Sequence, residues 1–295
     1  MKIRTSEPEL LWQSKSNLGE SPLWVKEEGS IYFVDIKKKY IHKYILKTKK
    51  KKIYKINKEI GFISYIKQDT FILGLQGELR ILNFKTGHKI KSIKIEKDLK
   101  FNRINDGQVD PCGNLWFGTM DSKGRNLSTG SLYCLKKNLK LIRVDQQYIT
   151  PNGPVFINKS KLFHTDTKRR IIYKITINDK KQVLSKKIFL KFDKVTGSPD
   201  GMTIDKNLNL WVCFYRGACI QVFDKNGKKK YKLNFMAKNI TNCVFGGNRN
   251  RDLFITSAIK GTKKKDLDLY KFTGSLFRVK TNVEGFKMNK FKIKL

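Results

Sequence analysis

The chain is poor in the residues that most often do chemistry or cross-link a fold. Its 295 residues include only three histidines, five cysteines and six prolines. Five is an odd number, and Cys112, Cys134, Cys213, Cys219 and Cys243 form no CxxC pair. The thiols therefore read as reduced, small core residues. His42, His88 and His164 lie beside no cysteine in sequence, so a thiolate nucleophile with a neighbouring base has no support. Nor can a Ser-His-Asp arrangement be argued from them.

Long apolar runs are also missing. No stretch approaches the roughly 20 residues that a membrane helix needs. The opening MKIRTSEPELLWQS has no apolar run of the signal-peptide kind. The expectation is a cytoplasmic protein with no membrane partner. Helical periodicity is hard to find beyond one or two turns. No stretch rich in Pro, Gly and Ser together marks a linker, so a single domain over residues 1–295 is expected. A hydrophobic content of 39% is enough to give it a substantial core.

Acids are scarce: 25 Asp and Glu stand against 63 Lys and Arg, a net charge of +38. Such a balance raises the question of an anionic partner. The excess is mostly Lys in a chain also rich in Ile and Asn, three residues with AT-rich codons. Clusters such as Lys49 to Lys52, Lys228 to Lys230 and Lys263 to Lys265 fall between apolar segments and are not interleaved with aromatics. That is the pattern of solvated turns, and no nucleic-acid partner is expected.

What the chain does have is a repeat. NDGQVDPCGNLWF begins at Asn105, NGPVFINKSKLFHT at Asn152 and DGMTIDKNLNLWV at Asp200. The turn-plus-strand signature recurs six times, anchored at Ile31, Phe71, Leu115, Leu162, Leu210 and Leu253, in steps of 40, 44, 47, 48 and 43 residues. Each copy is β-branched or aromatic after a Gly, Asn, Asp or Lys turn, and a further strand such as KYIHKYIL or GSLYCLKK tends to follow. A period of that length with about four strands is the signature of a propeller blade. Six copies predict an all-β, six-bladed β-propeller. A seven-bladed ring would need another copy.

The phase of the repeat locates candidate residues. Ten or eleven residues before each anchor stand Glu20, Gly61, Asn105, Asn152, Asp200 and Asn242. In a propeller such positions lie on the first strand of each blade, along the central channel. Convergence of carboxylates and amides without His or Cys suits a hard divalent cation. Asn-Gly and Asp-Gly are also ordinary turn pairs. Recurrence at one phase favours the site, as do Pro22, Pro151 and Pro199 near the strand starts.

The segments LGESPLWVKEEGSIYFVDI, RINDGQVDPCGNLWFGTMD, TPNGPVF, SPDGMTIDKNLNLWVCFYRGACIQVFDKNG and TNCVFGGNRNRDLFITSA together resemble the regucalcin/gluconolactonase family, also called SMP-30-like, from about Leu18 to Phe277. The resemblance implies a six-bladed propeller with one divalent metal ion in the channel, be it Ca, Mg, Mn, Zn or Fe. It implies hydrolysis of a sugar lactone to the sugar acid. It further implies that Glu20, Asn152 and Asp200 bind the metal, that Asn105 contacts metal or substrate, and that Arg103 contacts the lactone. Arg103 is two residues from Asn105, so an extended strand points both to one side. Some family members carry a substrate-binding acid where this chain has Lys123. Asp121 is the nearest acid and either takes over that contact or serves as a turn residue.

The chemistry expected of such a site is metal-assisted hydrolysis without a covalent intermediate, with Asp200 orienting or deprotonating the attacking water. Two alternatives stay open at this stage. One is a non-catalytic, calcium-binding propeller. The other is an enzyme acting on a non-sugar lactone or a phosphotriester.

Overall fold

The computed structural model describes residues 2–293. Its 24 strands form six four-stranded antiparallel sheets. Within each sheet consecutive strands lie side by side, apart from one closing strand, and this six-fold meander is a six-bladed β-propeller. Blades 1 to 6 are led by Gly19–Val25, Ile60–Lys67, Asn102–Val109, Pro151–Phe156, Ser198–Ile204 and Asn239–Gly246. All six repeat anchors fall on the second strand of a blade: Ser30–Asp35, Thr70–Leu75, Leu115–Asp121, Lys161–Asp166, Leu210–Tyr215 and Asp252–Ala258.

The chain divides into two compact units of three blades each. One unit takes the chain up to Ile56 and again over Phe192–Met288, and so holds blades 1, 5 and 6. Here the amino-terminal strand Glu9–Trp12 pairs antiparallel with Leu276–Lys280 and supplies the fourth strand of blade 6. The sequence reading did not foresee this closing strand, because ELLW has no turn-plus-strand signature of its own. The other unit takes Asn57–Lys191 with the tail from Asn289 and holds blades 2, 3 and 4.

First and second strands are buried almost throughout, while fourth strands such as Lys51–Lys55 and Lys89–Lys94 are exposed. Much of the excess lysine therefore lies on solvated outer edges. There it also discourages edge-to-edge pairing with another sheet. Four of the five cysteines are buried and all are free thiols.

Two sets of buried aspartates explain why the motifs repeat. In DPCGNLW, the Asp110 carboxylate accepts from the Cys112 and Asn114 backbone N–H groups, from Asn114 Nδ2, and from Trp116 Nε1 at 2.9 Å. In DKNLNLW, Asp205 does the same for Asn207, Asn209 and Trp211. One carboxylate thus ties the turn to the tryptophan that enters the next strand, which is why Asn-Leu-Trp follows at fixed spacing. A second set, Asp35 and Asp166, ends the second strands of blades 1 and 4 and accepts backbone N–H groups from the lead-in to the first strand.

Candidate functional site

The six phase positions share a feature that the sequence did not reveal. In every first strand the pairing register slips at that position: between Glu20 and Leu23, Ile60 and Phe62, Ile104 and Gly107, Asn152 and Val155, Pro199 and Met202, and Ile240 and Asn242. Asn-Gly and Asp-Gly are therefore not hairpin turns here. They are bulges inside buried strands. A bulge rotates the strand locally and re-aims side chains, and bulges concentrate beside active sites for that reason.

Glycine has its own role at two of these positions. A Cβ on Gly61 would meet the backbone oxygens of Asn105 and Ile104 at 2.2 and 2.3 Å. A Cβ on Gly201 would meet the Asn242 side chain at 2.1 to 2.5 Å. The absent side chains let neighbouring first strands come close at the level of the slips.

The unit of blades 1, 5 and 6 supplies the carboxylates. Glu20 and Asp200 are 7% and 6% exposed. The Ser21 backbone N–H donates to Glu20 Oε2 at 3.2 Å. Thr241 Oγ1 donates to the Gly19 carbonyl at 2.6 Å, tying blade 6 to blade 1 beside Glu20. Tyr215 stands in the field of both acids. Burial, then the charge of Asp200, push its phenol up to about 12, with Glu20 adding to the shift and Arg216 opposing it. The hydroxyl donates to the Lys260 carbonyl. Cys213, buried behind the same acids, is pushed well up, chiefly by burial, and is no nucleophile.

The unit of blades 2, 3 and 4 supplies amides and an arginine. Asn152 Nδ2 donates to Thr167 Oγ1 at 2.7 Å, which fixes the amide and leaves Oδ1 as the presented oxygen. Asn105 Nδ2 donates to the Pro151 carbonyl at 2.8 Å and to Asn152 Oδ1 at 3.2 Å. Asp106, which the sequence reading passed over, accepts from the Gly153 N–H at 2.8 Å and from the Gly107 N–H at 2.8 Å. It thereby clasps the slips of blades 3 and 4 and sets the spacing of Asn105 and Asn152. The signal for it was present in the NDG triplet, but a side chain that clasps backbone reads like a turn former.

Arg103 is 5% exposed and pairs with Glu59, Nε to Oε2 at 3.7 Å, while Nη1 donates to the Ile104 carbonyl at 3.1 Å. The alternation that put Arg103 and Asn105 on one side meets the register slip after Ile104. Arg103 leans toward Glu59 in the lead-in to blade 2, whereas Asn105 leans toward blade 4.

Asp121 stands at the same register place in blade 3 as Asp35 in blade 1 and Asp166 in blade 4, opposite the first residue of the first strand. Like them it is a buried staple. Its carboxylate accepts from the Arg125 backbone N–H at 2.9 Å and from Nη2 at 2.6 Å. Those bonds hold its pKa below the usual range against the opposing effect of burial. These contacts are the ones a turn residue makes.

The donor set fits a hard dication. Glu20 and Asp200 together balance a 2+ charge, and the amide oxygens are neutral hard donors. Among the described residues no group of three or more His, Cys, Asp or Glu could hold a metal ion.

Comparison with known proteins agrees with this reading of the repeat. The family described as SMP-30/Gluconolactonase/LRE-like region matches residues 18–259. The proposed sugar lactone lactonase YvrE of Bacillus subtilis is 29% identical over 284 residues, covering 93% of this chain and 94% of that protein. Xenopus laevis regucalcin is 28% identical over 274 residues, covering 87% and 91%. Among solved structures, the calcium-binding regucalcin of Agrobacterium tumefaciens superposes with a TM-score of 0.91 at 21% identity, covering 97% of each chain. The slips, the buried acids and amides, and a match over most of the length lead to one conclusion: the chain belongs to the SMP-30/gluconolactonase/LRE-like family.

Proposed function

We propose that this protein is a divalent-metal-dependent hydrolase that opens a sugar lactone to the corresponding acid. In this reading Glu20, Asn152 and Asp200 ligate one ion in the propeller channel, and Arg103 and Asn105 receive the substrate. The observation that carries it is the register slip repeated in all six first strands, with buried oxygen donors at the slips of blades 1, 4 and 5. A fold that needed these positions only for packing would not place two buried carboxylates and an oriented amide on them.

When bound, the dication polarises the lactone carbonyl and offsets the negative charge that builds as water adds. The remaining work falls to the chain. Asp200 accepts the proton of the attacking water. The Arg103 guanidinium, steadied by Glu59, donates charge-assisted hydrogen bonds to a lactone oxygen. Asn105, itself fixed by the Pro151 carbonyl, orients the sugar. Thr167 keeps the Asn152 amide turned so that its oxygen is the donor. No thiol or histidine takes part: Cys213 is held protonated, and His42 and His164 are buried in the blades.

The rival reading is a non-catalytic calcium-binding propeller, and the likeness to regucalcins favours it. Arg103 argues against it, because a cation buffer has no need of a buried guanidinium two residues from Asn105. Acid release from a panel of aldonolactones decides the matter. The protein is stripped with chelator and reloaded in turn with Ca²⁺, Mg²⁺, Mn²⁺, Zn²⁺ or Fe²⁺. Hydrolysis above the spontaneous rate, abolished by chelation and restored by at least one ion, is expected. Absence of hydrolysis on every lactone supports the buffer, and hydrolysis that survives full chelation removes the metal from the mechanism.

A further inference from the structure

The open end of blade 3 gathers cations whose arrangement bears on the substrate. Phe101 lies in the turn just before the first strand of that blade, two residues from Arg103 in sequence. Its ring is 48% exposed. Two side chains from the loop after Asp121 fold back over it: Lys123 Nζ at 5.5 Å and Arg125 Cζ at 5.0 Å from the ring centroid. The loop is tied down, with Ser122 N–H donating to the Phe101 carbonyl at 2.7 Å and Thr129 Oγ1 to Asn102 Oδ1 at 2.9 Å. Each cation thus stands over an aromatic face.

The acids of this region are largely committed elsewhere. Asp121 is held by Arg125, and Glu59 by Arg103. Glu96 accepts from Thr119 Oγ1 at 2.8 Å, Asn102 Nδ2 at 2.9 Å and the Tyr133 hydroxyl at 3.0 Å. Asp166 is taken by Arg169, whose Nη2 also donates to Ser128 of the loop. Asp98 remains, with Lys97 and Lys100 beside it in the lead-in. Among the described residues the Lys123 ammonium has no ion-pair partner.

We infer that the natural substrate is an anionic lactone, one bearing a phosphate or carboxylate away from its ring carbonyl, and that this group docks on Lys123 and Arg125. The inference rests on the lactonase reading and sharpens its substrate class. In this proposal a six-carbon lactone bound through Arg103 extends its terminal substituent toward the cations above Phe101, two residues away in the chain. A neutral polyol gives them nothing to neutralise. A terminal anion gains charge-assisted hydrogen bonds from Lys123 and from the part of the Arg125 fork that Asp121 leaves. An acid in place of Lys123 would repel such a substrate.

Two assays test this. First, kcat/KM is compared for gluconolactone, its 6-phospho derivative and glucarolactone at about 0.05 and 0.5 M salt. A preference of about tenfold or more for the charged lactones, shrinking with salt, is expected from one or two such bonds. Lys123→Glu erases that preference, while Lys229→Glu on an outer strand leaves it intact. Equal kcat/KM for charged and neutral lactones, or an equal effect of the two substitutions, overturns the inference. Second, calorimetry compares glucitol 6-phosphate with glucitol. Tighter binding of the phosphate that Lys123→Glu abolishes upholds the anion site even if no lactone turns over, in which case the lactonase reading alone falls. Equal binding of the two, with gluconolactone still hydrolysed, leaves the lactonase reading and removes the anion site.

Discussion

The two compact units carry different side chains at the slips of the same scaffold. The blades 1, 5 and 6 half brings two buried carboxylates to its slips, Glu20 and Asp200. The blades 2, 3 and 4 half brings amides and an arginine, and no carboxylate among the residues proposed to touch ion or substrate. In the first half burial, and then the charge of Asp200, raise the phenol of Tyr215. In the second half each functional side chain is locked by a neighbour: Asn152 by Thr167, Asn105 by the Pro151 carbonyl, Arg103 by Glu59. Under the proposed function this is a division of labour: one half is assigned the charge for the ion and the base for water, and the other the orientation and the handle for the sugar.

Substitutions on the two sides should therefore fail differently. Asp200→Ala removes ligand and base together and is expected to lower kcat by roughly 10³-fold or more, with an unchanged far-ultraviolet spectrum. Initial rates of acid release measure it, and near wild-type turnover would strip Asp200 of its role. Arg103→Ala should cost about a hundredfold in kcat/KM, with metal affinity intact. Glu59→Gln, which loosens Arg103 without removing it, should raise KM several-fold and spare kcat, a split that a merely destabilised fold would not produce.

Effects on the scaffold come next in size. Asp205→Ala leaves the Trp211 indole and three other N–H donors without their acceptor, and should destabilise by on the order of 3 kcal/mol, read as a lower urea midpoint. The buried histidines set a pH dependence. Burial lowers His42 to about 4 and His164 to about 3, from an ordinary 6.5. Below pH 6.5 the unfolded chain takes up protons that the folded chain refuses. Stability present above pH 6.5 is thus lost as pH falls toward about 4 for His42 and about 3 for His164. His42→Leu should flatten the urea midpoint between pH 7 and pH 4, by about 3 kcal/mol at the acid end. An unchanged slope would show that His42 is not held neutral.

Much of this architecture was legible in the chain. Strand alternation and a period near 45 residues are local signals, and they fixed blade number and the position of every second strand. The phase also placed Glu20, Asn105, Asn152 and Asp200 on first strands, where the register slips. What it could not give was the reason the phase matters, because a register slip is a property of paired strands and leaves only an ambiguous Asn-Gly or Asp-Gly in the sequence. The closing strand Glu9–Trp12 was hidden for a related cause: its partner Leu276–Lys280 is far away in the chain. Asp106 and Glu59 act through backbone and through Arg103, and side chains whose partners lie on other blades carry no mark of it in their own segment. Asp121 became readable only beside Asp35 and Asp166, once register showed that all three end a second strand.

The proposed function depends above all on Glu20, Asn152 and Asp200 being ligands of one ion. Equilibrium binding of the activating ion to chelator-stripped protein, by calorimetry, tests this most directly. One ion per chain is predicted for the parent protein, with affinity weakened at least tenfold in each of Glu20→Gln, Asn152→Ala and Asp200→Asn. Parent affinity in any one of the three, above all in Asn152→Ala, would contradict it.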